Sequence, residues 1–97
     1  MTMNNVYVIR CQELYSDGET TSYVMHPAYT TYMGCYNFLE RIIATDTDYY
    51  EDGGWERKDL EERLIWNKDP HETWVKWDFN DEYTIYYIEE MEVREEE

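Results

Sequence analysis

The chain has 97 residues, with 23 acidic and 8 basic side chains and a formal net charge of -15 at pH 7. Hydrophobic residues make up 42% and aromatic residues 18% of it, which is too much for a disordered acidic chain. No apolar run approaches the ~20 residues that span a bilayer, the N-terminus lacks a secretory signal pattern, and anionic membranes and nucleic acids repel this charge. We therefore expect one folded cytoplasmic domain over 1–97 that binds neither a membrane nor nucleic acid directly.

The first part of the chain predicts a β-hairpin. Residues 5–14 are rich in β-branched and aromatic side chains, which favour strands. Asp17-Gly18 follows, and an Asp-Gly pair between two such runs is a strong hairpin signal. Residues 20–25 are predicted to form the second strand, so the predicted hairpin covers 5–25. His26-Pro27 then ends this strand.

The hydrophobic period changes from two to three or four after that proline. Apolar residues at these steps within 28–44 predict one face of a helix of about four turns. Residues 45–54 are acidic and end in two glycines, which predicts a loop. Helical spacing returns over 55–66 and predicts a short second helix, and a proline places a turn within 67–72.

Two more strands are predicted in the last part of the chain. Residues 73–79 alternate between apolar and polar side chains, residues 83–93 form the last strand, and 94–97 form a frayed acidic end. The order is therefore ββααββ. The economical arrangement is an α+β fold, in which an antiparallel sheet of about four strands, made from two hairpins, packs with one main helix and one short helix.

The negative charge is concentrated in the second half. Residues 1–45 hold 4 acidic and 2 basic side chains (net -2), whereas residues 46–97 hold 19 acidic and 6 basic ones (net -13) and all four tryptophans. Like-charged neighbours destabilise a compact state, so such a charge serves either solubility or a positively charged partner. The acidic residues expected to bind a partner are Asp46, Asp48, Glu51, Asp52, Glu56, Asp59, Glu62, Glu89, Glu90 and Glu92.

The spacing of these carboxylates is compatible with DNA mimicry. Carboxylates four residues apart on a helix are separated by about 6 Å, and alternate residues of a strand by about 6.6–6.8 Å, which is comparable to the phosphate spacing along one DNA strand. A compact domain of this length is expected to be roughly 30–35 Å across. Duplex DNA of that length carries roughly 18–20 negative charges, which is of the same order as the charge of the chain.

No metal or catalytic motif accompanies the charge. The segment 46–53 has four carboxylates, but the sixth position of a calcium loop is Glu51 instead of glycine and the twelfth is Arg57 instead of glutamate. His26 and His71 lack ligand spacing, and there is no nucleophile or phosphate-loop motif. We therefore expect no metal, no cofactor and no enzymatic activity.

The layout resembles that of small accessory proteins of bacteriophages over nearly the whole chain. The resemblance lies in the opening Val6-Tyr7-Val8-Ile9, the Asp17-Gly18-Glu19 hairpin, the central helix and the closing run 86–93. By size and charge the chain also resembles phage inhibitors of host defence, namely anti-restriction and anti-CRISPR proteins that act as DNA mimics. This resemblance implies a non-enzymatic inhibitor that occupies the basic nucleic-acid-binding surface of a defence nuclease in the host cytoplasm. It assigns no role to an individual residue.

Two other functions stay open at this stage. The chain could bind a small ligand in a pocket lined by tyrosines, or it could be a regulatory module whose acidity only serves solubility, and a homo-oligomer is compatible with each. One continuous acidic face would favour mimicry. An enclosed polar pocket would favour a ligand, and an even scatter of charge would favour the regulatory module.

Overall fold

The computed structural model describes residues 3–94, and side chains within 5–93. The elements of this part of the chain are β1 Met3–Leu14, β2 Thr20–Tyr29, α1 Tyr32–Asp52, α2 Arg57–Arg63, β3 Leu64–Asp69, β4 Glu72–Asp78 and β5 Tyr83–Arg94. The strands form one antiparallel sheet in the order β2-β1-β5-β4-β3. Of the predicted frayed end, Arg94 belongs to β5, and residues 95–97 lie outside the described part.

The predicted four-strand ββααββ layout is wrong, because β3 adds a fifth strand and the order becomes ββααβββ. The sequence predicts residues 64–66 as the end of the second helix and residues 67–69 as part of a turn. The backbone of Leu64 is already extended, with φ -96° and ψ 118°, and Leu64 and Trp66 lie opposite Trp77 and Val75 of β4. Leu64 is four residues after the buried Leu60, so its spacing suits a helix although its partners are in the sheet.

The main helix begins and ends later than predicted. β2 continues through the cis His26-Pro27 bond to Tyr29, which pairs with Tyr7 across a bulge. Thr31 caps the helix, since its side chain accepts a hydrogen bond from the backbone N–H of Gly34 at 3.0 Å. The helix then includes most of the acidic segment that the sequence predicted as a loop. The predicted first hairpin and the strands within 73–79 and 83–93 are present, with shifted ends.

The core lies between one face of the sheet and the two helices. It contains Ile9, Cys11, Val75, Trp77 and Tyr86 from the strands, Cys35, Leu39, Ile42 and Ile43 from α1, and Leu60 from α2. Both cysteines are buried and unpaired. Alternation along the strands places Trp74, Lys76, Ile85 and Tyr87 on the opposite face of the sheet, where they are half-buried.

The molecule is longer than its chain length predicts. Its principal extents are 53 × 27 × 23 Å and its radius of gyration is 15.3 Å, because two 12-residue strands, β1 and β5, pair along their whole length. The expected diameter of roughly 30–35 Å is therefore wrong for the long axis. Duplex DNA 53 Å long carries about 31 charges, so the net -15 of the whole chain is about half that of an equal length of duplex.

Candidate partner-binding surface

The last two turns of α1 carry carboxylates where a helix disfavours them. Asp48, Glu51 and Asp52 lie at its C-terminal end, and there is no basic residue in its last turn. The carbonyl groups at a helix C-terminus are partially negative, so each exposed acid there costs about 0.3–1 kcal/mol at low ionic strength. Local helix stability therefore does not account for these residues.

The second helix continues this acidic surface. Glu56, Asp59 and Glu62 lie at the start of α2 and along it, exposed or half-buried. Arg57 joins the two helices through an ion pair with Glu51, with Nη2 and Oε1 2.5 Å apart. We call six of the carboxylates at the end of α1 and along α2 the acidic end; they are Asp48, Glu51, Asp52, Glu56, Asp59 and Glu62.

Asp46 has a different environment from its predicted companions. Its Oδ2 accepts a hydrogen bond from Nε1 of Trp77 at 3.2 Å and another from the hydroxyl of Tyr86 at 2.7 Å. Burial raises the pKa of Asp46 despite these two hydrogen bonds, which lower it, and the nearby Glu13 raises it further. Asp46 thus satisfies two buried donors of the sheet, and its carboxylate is already engaged within the fold.

The second predicted cluster lies on the last strand, away from the acidic end. Glu89 forms an ion pair with Arg10 at 2.7 Å, and Glu90 accepts hydrogen bonds from Asn5 and Tyr7, each at 3.1 Å. Glu92 lies opposite Asn5 in the sheet register.

The contacts of α1 fix the positions of the two clusters. Its last turns pack near Trp77 and Phe79 through Tyr50. Trp77 lies opposite Thr84, and Glu90 is six residues farther along β5, about 20 Å away. The ten candidate residues therefore do not form one continuous patch: six belong to the acidic end, three lie near the far end of β5, and Asp46 is in between and partly buried.

Two further carboxylates that the sequence analysis did not select border a cleft at the acidic end. Asp81 and Glu82 lie in the β4–β5 turn, whose shape is held by the backbone hydrogen bond from Phe79 N–H to the carbonyl of Glu82 at 2.9 Å. The cleft has a volume of about 290 Å³ and is lined by Tyr50, Trp55, Arg63, Phe79, Asp81 and Glu82; we call it the aromatic cleft. A short acidic turn after an aromatic strand was the only signal of it in the sequence.

A larger groove lies between β2 and α1. Its volume is about 610 Å³, and its wall includes Tyr23, Met25, Tyr29, Phe38 and Ile42, with the Asp46 carboxylate on one side. Drug-sized ligands occupy pockets of about 300–1,000 Å³ with mostly apolar walls and a few polar groups. The groove is open to solvent and is larger than the aromatic cleft.

The described residues contain no group of three or more His, Cys, Asp or Glu side chains that could hold a metal ion. Since 46–52 is helical, its carboxylates are distributed around a helix instead of converging as in a calcium loop. We predict that calcium titrated into the metal-free protein gives no saturable heat in the micromolar range. A stoichiometric isotherm that is lost in Asp48→Asn/Asp52→Asn would contradict this prediction.

Neither helix of the described part is long and apolar enough to cross a membrane. Comparison of the chain with protein family models, with curated proteins and with solved structures gave no match.

Proposed function

We propose that this chain is a non-enzymatic acidic binding protein that occupies the basic nucleic-acid-binding surface of another protein, as a phage-encoded inhibitor of a defence nuclease in the host cytoplasm. The observation that carries this proposal is the acidic end. Three of its carboxylates, Asp48, Glu51 and Asp52, lie at the C-terminal end of α1, where they oppose the helix dipole. A basic partner surface would turn this local cost into attraction.

The mechanism follows from the charge and shape of the acidic end. Asp48 and Asp52 are four residues apart on α1 and therefore about 6 Å apart along the helix. This spacing is comparable to that of successive phosphates along one DNA strand. Lys and Arg side chains that contact phosphates would pair with such carboxylates. The ten candidate carboxylates do not form one continuous face, and the whole molecule has about half the charge of an equal length of duplex. The proposed mimicry is therefore confined to the acidic end and does not extend along the long axis.

Competition with DNA tests the proposal. A partner captured from host lysate should lose its DNA when this protein is added, and the protein should not bind DNA itself. The association rate should fall as salt rises, because exposed charges are screened over about 8 Å at physiological ionic strength. Undisturbed DNA binding at saturating protein, or an affinity that does not change between low and high salt, would contradict mimicry.

A pair of charge-matched variants locates the surface. Neutralising Asp48, Asp52, Glu56 and Glu62 to their amides should weaken partner binding about 10- to 100-fold, since each exposed ion pair contributes about 0–1 kcal/mol. The control neutralises Asp17, Glu19, Glu40 and Glu72, which are also exposed and change the net charge equally. Equal weakening by the two variants would mean that only overall charge matters.

The groove between β2 and α1 favours one second function, the binding of a small ligand with an apolar body. Its tyrosine and phenylalanine walls, with Arg41 and Asp46 as the charged lining residues, suit such a ligand better than a large basic surface. Native mass spectrometry of the protein purified from its host would show a constant added mass. If that mass is found and DNA competition fails, ligand binding replaces inhibition as the function; if neither is found, the acidity serves solubility.

A further inference from the structure

Three aromatic side chains form a row along the aromatic cleft. The ring centroids of Tyr50 and Phe79 are 5.1 Å apart, and those of Phe79 and Trp55 are 5.2 Å apart. The backbone holds Trp55 in place, since its N–H donates to the carbonyl of Tyr50 at 3.1 Å. Trp55 is nevertheless 40% exposed, so part of its indole ring is available to a ligand.

The acidic side chains of the cleft are available as well. Asp81 and Glu82 are exposed, and within residues 5–93 neither carboxylate forms an ion pair with a basic side chain. Burial, together with the nearby Asp46, Tyr49, Glu13 and Glu82, raises the pKa of Tyr50 to about 12. The Tyr50 phenol is therefore neutral at pH 7, and among the lining residues the two carboxylates outnumber the single positive charge of Arg63.

Aromatic faces beside carboxylates are suited to cations. The face of an indole or phenol ring attracts an ammonium or guanidinium group within about 6 Å, most strongly for Trp, and a nearby carboxylate adds a charge-assisted hydrogen bond. The volume of about 290 Å³ has room for one side chain but not for a folded segment. We propose that the aromatic cleft receives the cationic head of one Arg or Lys side chain from the partner surface, an inference that rests on the proposed function and names the anchor of the interface.

Arg63 provides an internal check on the kind of ligand. Arg63 lines the cleft and, within residues 5–93, its guanidinium forms no ion pair with a carboxylate. It repels an incoming cation and would attract an anion. Arg63→Gln should therefore strengthen the binding of a cation and weaken that of an anionic aromatic ligand such as a nucleotide.

The test titrates isolated protein with the blocked tripeptides acetyl-Gly-Arg-Gly-amide and acetyl-Gly-Lys-Gly-amide at 150 mM salt. The readout is the indole N–H signal of Trp55 in nitrogen–proton NMR spectra, assigned with Trp55→Phe. Both peptides should shift this signal saturably. The peptide that binds more tightly shows whether the cleft prefers a guanidinium or an ammonium group. The same peptide with citrulline in place of arginine is neutral and should not bind.

Variants make the outcome specific to the cleft. Trp55→Ala, read from the shifts of backbone amides in the β4–β5 turn, should weaken binding about 5- to 30-fold, and Asp81→Asn/Glu82→Gln should weaken it to a similar degree. Glu72→Gln/Glu40→Gln removes the same charge elsewhere on the surface and should leave the affinity within twofold. Arg63→Gln should raise it about two- to fivefold.

The results separate this inference from the proposed function. Equal binding of the citrulline peptide, or weaker cation binding by Arg63→Gln, would overturn the cation site even if the protein displaces DNA from its partner. Saturable cation binding that Trp55→Ala weakens to this degree would support the site even if no partner loses its DNA.

Discussion

Trp77→Ala should destabilise the protein by about 3–5 kcal/mol, which is the usual cost of removing a buried Trp or Phe side chain. Trp77 is 1% exposed and stacks on Phe79, with ring centroids 6.2 Å apart. It also packs edge-to-face with Tyr50, with ring centroids 5.2 Å apart. Small domains have about 5–15 kcal/mol of stability in total. The variant is therefore expected to be largely unfolded, or to unfold at much lower urea concentration, by circular dichroism.

Trp74→Ala is the matched control. Trp74 lies three residues earlier in the same strand, on the face of the sheet opposite to the helices, and is half-buried. Its loss should cost about 1–2 kcal/mol, because only part of its apolar surface is removed from water. If Trp74→Ala destabilised the protein as much as Trp77→Ala, the core would not lie between the helices and the face of Trp77.

Asp46→Ala should destabilise the protein by about 2–3 kcal/mol, although it removes one of many negative charges. The substitution leaves Nε1 of Trp77 and the hydroxyl of Tyr86 without their acceptor, and a buried donor without a partner costs about 1–3 kcal/mol. Asp46→Asn keeps an oxygen in place and should stay within about 1 kcal/mol of the parent protein. Urea unfolding at pH 7 measures both; equal effects of Ala and Asn would contradict the acceptor role.

The raised pKa of Asp46 determines whether its contribution to protein stability grows or shrinks as pH falls. A group whose folded pKa is above its unfolded value, here 3.8, contributes stability that is fully present below pH 3.8 and is lost as pH rises through the folded pKa. The parent protein should therefore gain stability relative to Asp46→Asn as pH falls from 7 toward 4. Asp48→Asn removes the same charge from an exposed position of the same helix and controls for net charge. A parent protein that lost stability relative to Asp46→Asn over this range would contradict the shift.

The behaviour of Asp46 also affects how the binding surface is mapped. An alanine at this position would destabilise the fold by leaving Trp77 and Tyr86 without their acceptor, so weaker partner binding would have a structural cause in addition to the lost charge. The four-residue neutralisation described above therefore omits Asp46 and uses amides throughout. Loss of binding can then be assigned to charge once circular dichroism shows that the variant is folded.

The first hairpin and the strands within 73–79 and 83–93 were predictable because local sequence marks them: β-branched and aromatic side chains with Asp17-Gly18 in the first hairpin, alternation within 73–79, and a run rich in tyrosine and isoleucine at 83–88. The strand β3 was not predictable, because Leu60 and Leu64 are four residues apart, like residues on successive turns of one helix. The pairing of Leu64 and Trp66 with β4 makes this segment a strand, and such pairing between distant residues leaves no signal in the local sequence. The same applies to the acidic segment after residue 45, which is helical because Tyr50 packs against the sheet.

The sequence by itself determined the strong negative charge, its concentration in residues 46–97, the α+β class and the first hairpin, because composition and short-range period are properties of the chain alone. Only the tertiary structure decided which carboxylates are at the surface and which are engaged. Asp46 is bound by Trp77 and Tyr86, 31 and 40 residues away, Glu89 is paired with Arg10, and Asp81 and Glu82 border a cleft with Trp55. These relations join residues that are far apart in the chain, and the energies that select them arise from burial and pairing across the sheet, which local propensity does not contain.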